Sequence, residues 1–368
     1  TISYMRYIYT EREKKMKELF TPWKLKNVEV KNRICVPPMV CFGWNGEDGM
    51  ASERNAEHYR LLAKGGAGLI IQEATCVSPY GKLSKDQLGI WCDEQVPGLK
   101  RIVEAVHSEG VPILLQIHHA GIISETEDPV CPSDYSFTFK GLPRSGRELT
   151  KEEIKKIEQE FIDAAIRASK AGYDGVELHG CHNYLLSQFL NRRVNRRTDE
   201  YNSDDMLIIK NIIEGIRKAV PEKFIVGIRL GAFEPAIADG IAHAKKLEAW
   251  GIDFINVSYG FNAEAEPEKP EGYPFAEAVY GAKRIKEAVK TPVFAVFGIQ
   301  NGETAEQVLL DTGVEMVNIG RGFLVNYNWA KDVLEGRDPG KCLYCKKCVW
   351  RANSDTCPGK TLMERSRK

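Results

Sequence analysis

The stretch LHGCHNYLLSQFL, residues 178–190, sets His179, His182 and Tyr184 at the close of an apolar run. Imidazole N–H groups can hold an oxygen that gains negative charge. A phenol can give up a proton as a general acid. The bland alternative is a structural histidine pair beneath a lid. Other apolar runs also end in costly polar groups. Gln116 closes VPILLQ and Arg229 closes KFIVGIR, and burying either without a partner is unfavourable. A flat, polar, partly anionic ring system such as a flavin would satisfy both, and Arg229 would suit negative charge near its N1. The alternative for Arg229 is an internal ion pair with Glu177. FGIQNGE (297–303) and NIGRGF (318–323) place Gly298 and Gly320 at tight turns. Backbone N–H groups there can take a phosphate, with Arg321 adding charge. Ordinary glycine turns are the competing explanation.

These residues sit at the ends of regularly spaced elements. RICVPPM (33–39), GAGLIIQEATCV (66–77), VPILLQIHHAG (111–121), YDGVELHG (173–180), KFIVGIRLG (223–231), IDFINVSYG (252–260), TPVFAVFGIQ (291–300) and VEMVNIGRG (314–322) read as eight strands. Helix-like segments separate them, clearest at 58–66, 96–110 and 150–175. The last opens with Thr150 and carries Glu153 three residues on, a capping box, and ends at Gly172. Near-continuous apolar strands alternating with helices suit a parallel sheet covered by helices. Eight such units predict an α/β fold of the (β/α)8 TIM-barrel type. A doubly wound open sheet is the alternative, but its glycine-rich first turn is missing. Barrel chemistry gathers at the C-terminal strand ends, where all the polar tips lie. Residues 122–149 form a long excursion after the third strand, of a length that usually covers a site.

Taken together and in order, KNRICVPPMV, LLQIHHAG, LHGCHNYLLSQFLNRRVNRRTDEY, IRLG and NIGRGFL resemble the old yellow enzyme family of flavin reductases. The resemblance covers residues 16–336 and implies FMN bound without a covalent link. It implies that Pro37, Pro38, Met39, Ala74, Gln116 and Arg229 surround the isoalloxazine, with Gly298, Gly320 and Arg321 at the phosphate. It implies that His179 and His182 bind the substrate oxygen and that Tyr184 supplies the proton. The expected reaction is hydride transfer to the β-carbon of an α,β-unsaturated carbonyl compound, an enone or enoate, with NAD(P)H as electron donor. Val40 stands where the family often has a hydroxyl or thiol, and Cys41 is a candidate to compensate. Phe42 takes the place of a substrate-facing tyrosine in some relatives, with plain packing as the alternative. Asn202-Ser203 replaces a frequent glycine pair, which puts the following loop geometry in question.

Residues 1–15 are expected to be an extension or an expression remnant, 16–336 the FMN-binding barrel, and 337–368 a cysteine-rich segment. In that segment Cys342, Cys345, Cys348 and Cys357 are spaced C-x2-C-x2-C-x8-C and followed by proline. Three close thiolates and one distant one suit a [4Fe–4S] cluster, with zinc as the alternative. The resemblance extends to the iron–sulfur branch, which includes trimethylamine dehydrogenase and 2,4-dienoyl-CoA reductase, although the x8 gap is shorter than theirs. Those relatives continue into further nucleotide-binding domains, and this chain is expected to lack them. Electrons would then reach a cluster from an external electron-transfer protein. Homo-oligomer formation is a further candidate association.

Lys+Arg and Asp+Glu both number 51, a balance that argues against nucleic acid as a partner. No apolar run is long enough to span a membrane and no secretory segment precedes the fold. A reducing cytoplasmic location is expected, because disulfide frameworks are rare in large chains of this kind. Two other functions compete. One is an amine dehydrogenase passing electrons outward, which would want an aromatic bowl for a cation. The other is a non-redox, phosphate-binding barrel.

Overall fold

A computed structural model describes residues 16–139, 141–260 and 264–367, so the expected 1–15 extension lies outside the described residues. Eight parallel strands close into a barrel. In chain order they are Ile34–Val36, Leu69–Cys76, Ile113–His118, Gly175–Gly180, Ile225–Gly231, Phe254–Ser258, Val293–Ala295 and Met316–Asn318. Each pairs with the next, and the eighth returns to the first through Val317 and Ile34. All eight strands expected from the sequence are present, and the open sheet is excluded.

The helices follow their local signals. Thr150 Oγ1 accepts from the Glu153 N–H at 3.2 Å, while Glu153 Oε2 accepts from the Thr150 N–H at 2.9 Å. That reciprocal box opens the helix Lys151–Ala171, and Gly172 closes it at φ 94°. Asn202 replaces the glycine pair by side-chain bonding. Its amide donates to Asp205 at 2.6 Å, and its oxygen accepts from the Asp205 N–H at 2.9 Å.

One end of the barrel is sealed by apolar packing. A two-stranded hairpin, Trp23–Leu25 with Val28–Val30, packs Leu25 and Val30 against inward residues such as Leu69, Phe254 and Phe294. Phe254 and Phe294 stack with centroids 4.8 Å apart. Gly227 is required beside them, because a Cβ there would lie 2.0 Å from the Phe254 ring. The chemistry-bearing residues are left at the other end.

The 122–149 excursion builds its own small sheet, which periodicity did not reveal. Tyr135–Phe139 and Leu142–Glu148 pair antiparallel, and Val130–Cys131 joins alongside. Among the described residues no helix is long and apolar enough to cross a membrane.

Candidate active site

Strand registry places Arg229 beside His179, and Gln116 beside Glu177. After the fourth strand the backbone turns sharply through His182 (φ 66°) and Asn183 (φ 58°). Two consecutive left-handed residues are unfavourable and need outside support. Gln188 supplies it, donating to the Asn183 carbonyl at 2.6 Å. Tyr184 then caps the short helix Leu185–Leu190.

The three expected residues come together, and two more join them. His179 Nε2 lies 2.9 Å from His182 Nδ1, and His182 Nε2 lies 2.9 Å from Ser258 Oγ. On the other side, His179 Nδ1 lies 3.0 Å from His118 Nδ1. The result is one line of hydrogen bonds, His118–His179–His182–Ser258. The Tyr184 ring packs edge-on against His118 at 4.5 Å and His179 at 4.7 Å. Neither His118 nor Ser258 was assigned from the sequence, although HHAG and VSYG carry both. Here the His179 and His182 rings bond each other, so an oxygen entering between them would have to replace that bond.

A second polar line crosses the barrel interior. Glu177 accepts from Gln116 at 2.8 Å and from Asn256 at 2.7 Å, and Asn318 donates to Asn256 at 3.0 Å. The Glu177 carboxylate is therefore held by amides rather than by a hydrogen bond from Arg229. Arg229 is 5% exposed, and its Nε and Nη1 have no hydrogen-bond partner. A buried guanidinium left in this state calls for an anionic or carbonyl-rich ligand.

Two adjoining cavities of about 730 and 470 Å³ share Pro38, Met39, His182, Arg229, Arg321 and Arg351. Ala74, Gln116, His179 and Tyr184 line the larger, whereas Pro37, Gly298 and Gly320 line the smaller. Gly298 has φ 73°. At Gly320 a Cβ would meet Met39 Sδ at 3.1 Å and Pro37 Cγ at 3.2 Å, so the backbone itself faces the cavity. Val40 and Phe42 line the larger cavity. Cys41 does not compensate for Val40. It is buried, and its N–H donates to Glu73 Oε2 at 2.8 Å.

The C-terminal segment folds over this mouth. Trp350 stacks on Trp44 with centroids 5.5 Å apart, and Trp44 Nε1 donates to the Arg351 carbonyl at 2.9 Å. The Arg351 guanidinium lies 4.3 Å from the Phe42 centroid, and that of Arg321 lies 3.9 Å from the Tyr344 centroid. The segment thus helps wall the site, which its spacing did not announce. Its thiols do not form the gathered ligand set expected of Cys342, Cys345, Cys348 and Cys357. Among the described residues, no group of three or more His, Cys, Asp or Glu converges as a metal would require. Cys345 and Cys348 are exposed, and all ten cysteines are free.

Burial dominates the electrostatics. His58 and His182 are pushed down to about 3 and His119 and His243 to about 4, while His118 and His179 fall well below the ordinary value. The site imidazoles are therefore neutral. Below about pH 6.5 the unfolded chain binds protons that the folded chain refuses, so stability is present above that pH and lost on acidification. Each such histidine adds a slope of about 1.4 kcal/mol per pH unit. Glu73 and Glu177, raised to about 7 by burial, oppose this trend, and Glu158 and Glu160 shift the same way. His107, raised by its hydrogen bond to Asp174, also opposes it, and the six lowered histidines outweigh these five groups. The urea midpoint is expected to fall between about pH 7 and about pH 5. His243→Gln, outside the site, should make that fall shallower; a midpoint that rises on acidification would contradict the balance.

Comparison with known proteins follows the same lines. Residues 18–339 match the NADH:flavin oxidoreductase / NADH oxidase family. The chain is 39% identical over 345 residues to the NADH oxidase of Thermoanaerobacter brockii, covering 89% of this chain. It spans about half of that relative's length, 52%. It is 37% identical over 331 residues to the NADPH dehydrogenase of Listeria innocua, covering 87% of this chain and 95% of the relative. Among solved structures, an old yellow enzyme homologue from Zymomonas mobilis superposes with a TM-score of 0.76 at 26% identity. That match covers 92% of this chain and 99% of the homologue.

Proposed function

Starting from the fact that the chain belongs to the NADH:flavin oxidoreductase / NADH oxidase family, we propose that it is an FMN-dependent ene-reductase driven by NAD(P)H. The observation that carries this reading is the buried Arg229, with two unpartnered nitrogens in a cavity wall shared with His182. When bound, FMN supplies the hydride for the β-carbon of an α,β-unsaturated carbonyl compound. Arg229 and Gln116, the latter held by the Glu177 carboxylate, would hold the ring system, with Pro37, Pro38, Met39 and Ala74 lining the same cavities. Gly298, Gly320 and Arg321 receive the phosphate. His179 and His182 hold the carbonyl oxygen, where negative charge develops as the β-carbon is reduced. Tyr184 then protonates the α-carbon. Its phenol is raised above the ordinary value by burial and so keeps its proton at neutral pH. The buried Arg229 charge in the same cavity wall favours an oxyanion over a cationic amine, which ranks the amine-dehydrogenase reading second.

The cysteine spacing supports an iron–sulfur cluster in the tail, with zinc second, but the thiols as placed do not fit either, so no step is routed through a metal. An anaerobic ultraviolet–visible spectrum tests the reading, with iron, zinc and acid-labile sulfide assayed on the same sample. Flavin bands are expected, together with about four irons per chain if the cluster forms. A colourless protein that also fails to take up added FMN would overturn the proposal.

A further inference from the structure

We infer that His118 and Ser258 are positioning residues that set the tautomers of His179 and His182, so that both rings offer an N–H to one oxygen. The inference rests on the ene-reductase reading and deepens it. A neutral imidazole carries a single N–H, and its other nitrogen is an acceptor. For His179 to donate from Nε2, its Nδ1 must be bare. For His182 to donate from Nδ1, its Nε2 must be bare. A bare, buried ring nitrogen needs a donor behind it.

The structure provides a group able to donate at each rear position. His118 Nδ1 lies 3.0 Å from His179 Nδ1, and Ser258 Oγ lies 2.9 Å from His182 Nε2. Both are buried, His118 at 0% and Ser258 at 0% exposure, so water does not compete for the role. The front nitrogens, His179 Nε2 and His182 Nδ1, face each other at 2.9 Å. In the free site they share one proton, and only one ring can be the donor. An oxygen entering between them replaces that bond and needs both rings in the donor form. With His118 donating from Nδ1 and Ser258 donating from its hydroxyl, both forms are satisfied at once. The hydroxyl can rotate from acceptor to donor, so Ser258 permits the change of state when the oxygen arrives. His118 Nε2 is buried without a hydrogen-bond partner. One nitrogen of this ring therefore goes unsatisfied in either tautomer, and a proton on Nδ1 makes the His179 bond and leaves a bare acceptor, not an N–H, without a partner. The arrangement follows the general rule that the tautomer of a working histidine is set by the bond its other nitrogen makes.

The test uses full-length, flavin-loaded protein labelled with 15N at histidine, and phenol as a small oxyanion-forming probe. With phenol bound, the spectrum is expected to show protons on His179 Nε2, His182 Nδ1 and His118 Nδ1. A proton on His179 Nδ1 in that complex overturns the inference without any variant. His118→Phe keeps a ring against Tyr184 and removes the donor, so His179 should become a mixture of tautomers. Ser258→Ala should do the same to His182, and Ser258→Thr should restore the wild-type pattern. Phenol affinity is expected to drop roughly tenfold in His118→Phe and in Ser258→Ala, and KM for a simple enone to rise by a similar factor. Unchanged tautomers and affinity in both variants would also overturn the positioning role. Should the wild type bind phenol with the expected protons yet turn over no enone, the ene-reductase reading fails while the tautomer assignment stands.

Discussion

Tyr184→Phe is expected to slow the reoxidation of reduced flavin by an enone at least about a hundredfold, the usual scale of a lost general acid. Reduction of the flavin by NAD(P)H should suffer far less, because no proton from this phenol is needed there. The substitution is conservative in packing. Tyr184 is 7% exposed and its ring touches His118 and His179 edge-on, contacts that phenylalanine retains. Burial raises the phenol above its ordinary value, so the wild-type proton is in place at neutral pH. Stopped-flow measurement of the two half-reactions separates the cases. Equal slowing of both would remove Tyr184 from the proton-donor role and make it a packing residue.

Arg229→Met is expected to move cofactor binding and fold stability in opposite directions. The guanidinium is 5% exposed, with Nε and Nη1 unpartnered, so the protein without ligand carries an under-satisfied buried charge. Removing an unpartnered buried charge relieves its desolvation cost, and Glu177, whose carboxyl the Arg229 charge draws down, can take up a proton in its absence. The thermal midpoint of the flavin-free variant should therefore equal or exceed that of the flavin-free wild type. FMN affinity should fall more than about a hundredfold, since two hydrogen bonds to a charged group, each worth about 1.5–3 kcal/mol, are lost. Flavin fluorescence titration and thermal melts on the same preparations give both readouts. A destabilised variant with undiminished FMN affinity would mean that Arg229 is a structural residue and that the flavin lies elsewhere.

Local signals carried the scaffold. Each barrel strand is a short apolar run, and that pattern survives in the sequence because both faces of the strand are covered. Thr150, Glu153 and Gly172 marked a helix whose box and left-handed cap are present. The strand tips also held the expected site residues. His179 and Tyr184 meet Gln116 at one cavity, and Gly298 and Gly320 meet Arg229 at the adjoining one. The excursion sheet escaped notice because only one of its long strands alternates: Tyr135–Phe139 does, whereas Leu142–Glu148 carries no such pattern and is largely exposed.

The sequence by itself determined the barrel, its order and the polar character of one end, since these follow from periodicity, capping and turn chemistry within each unit. Only the tertiary structure decided which polar groups are already spent on one another. Glu177 is taken by Gln116 and Asn256 from neighbouring strands, which leaves Arg229 open. Cys41 is buried with its thiol by the Met39 carbonyl and does not line the cavity, and Trp350 and Arg351 reach the mouth from the far end of the chain. His118 and Ser258 stand behind the His179 and His182 imidazoles because the third, fourth and sixth strands converge there. Such pairings join residues 61 and 76 positions apart. They depend on barrel closure and register, which no local pattern encodes.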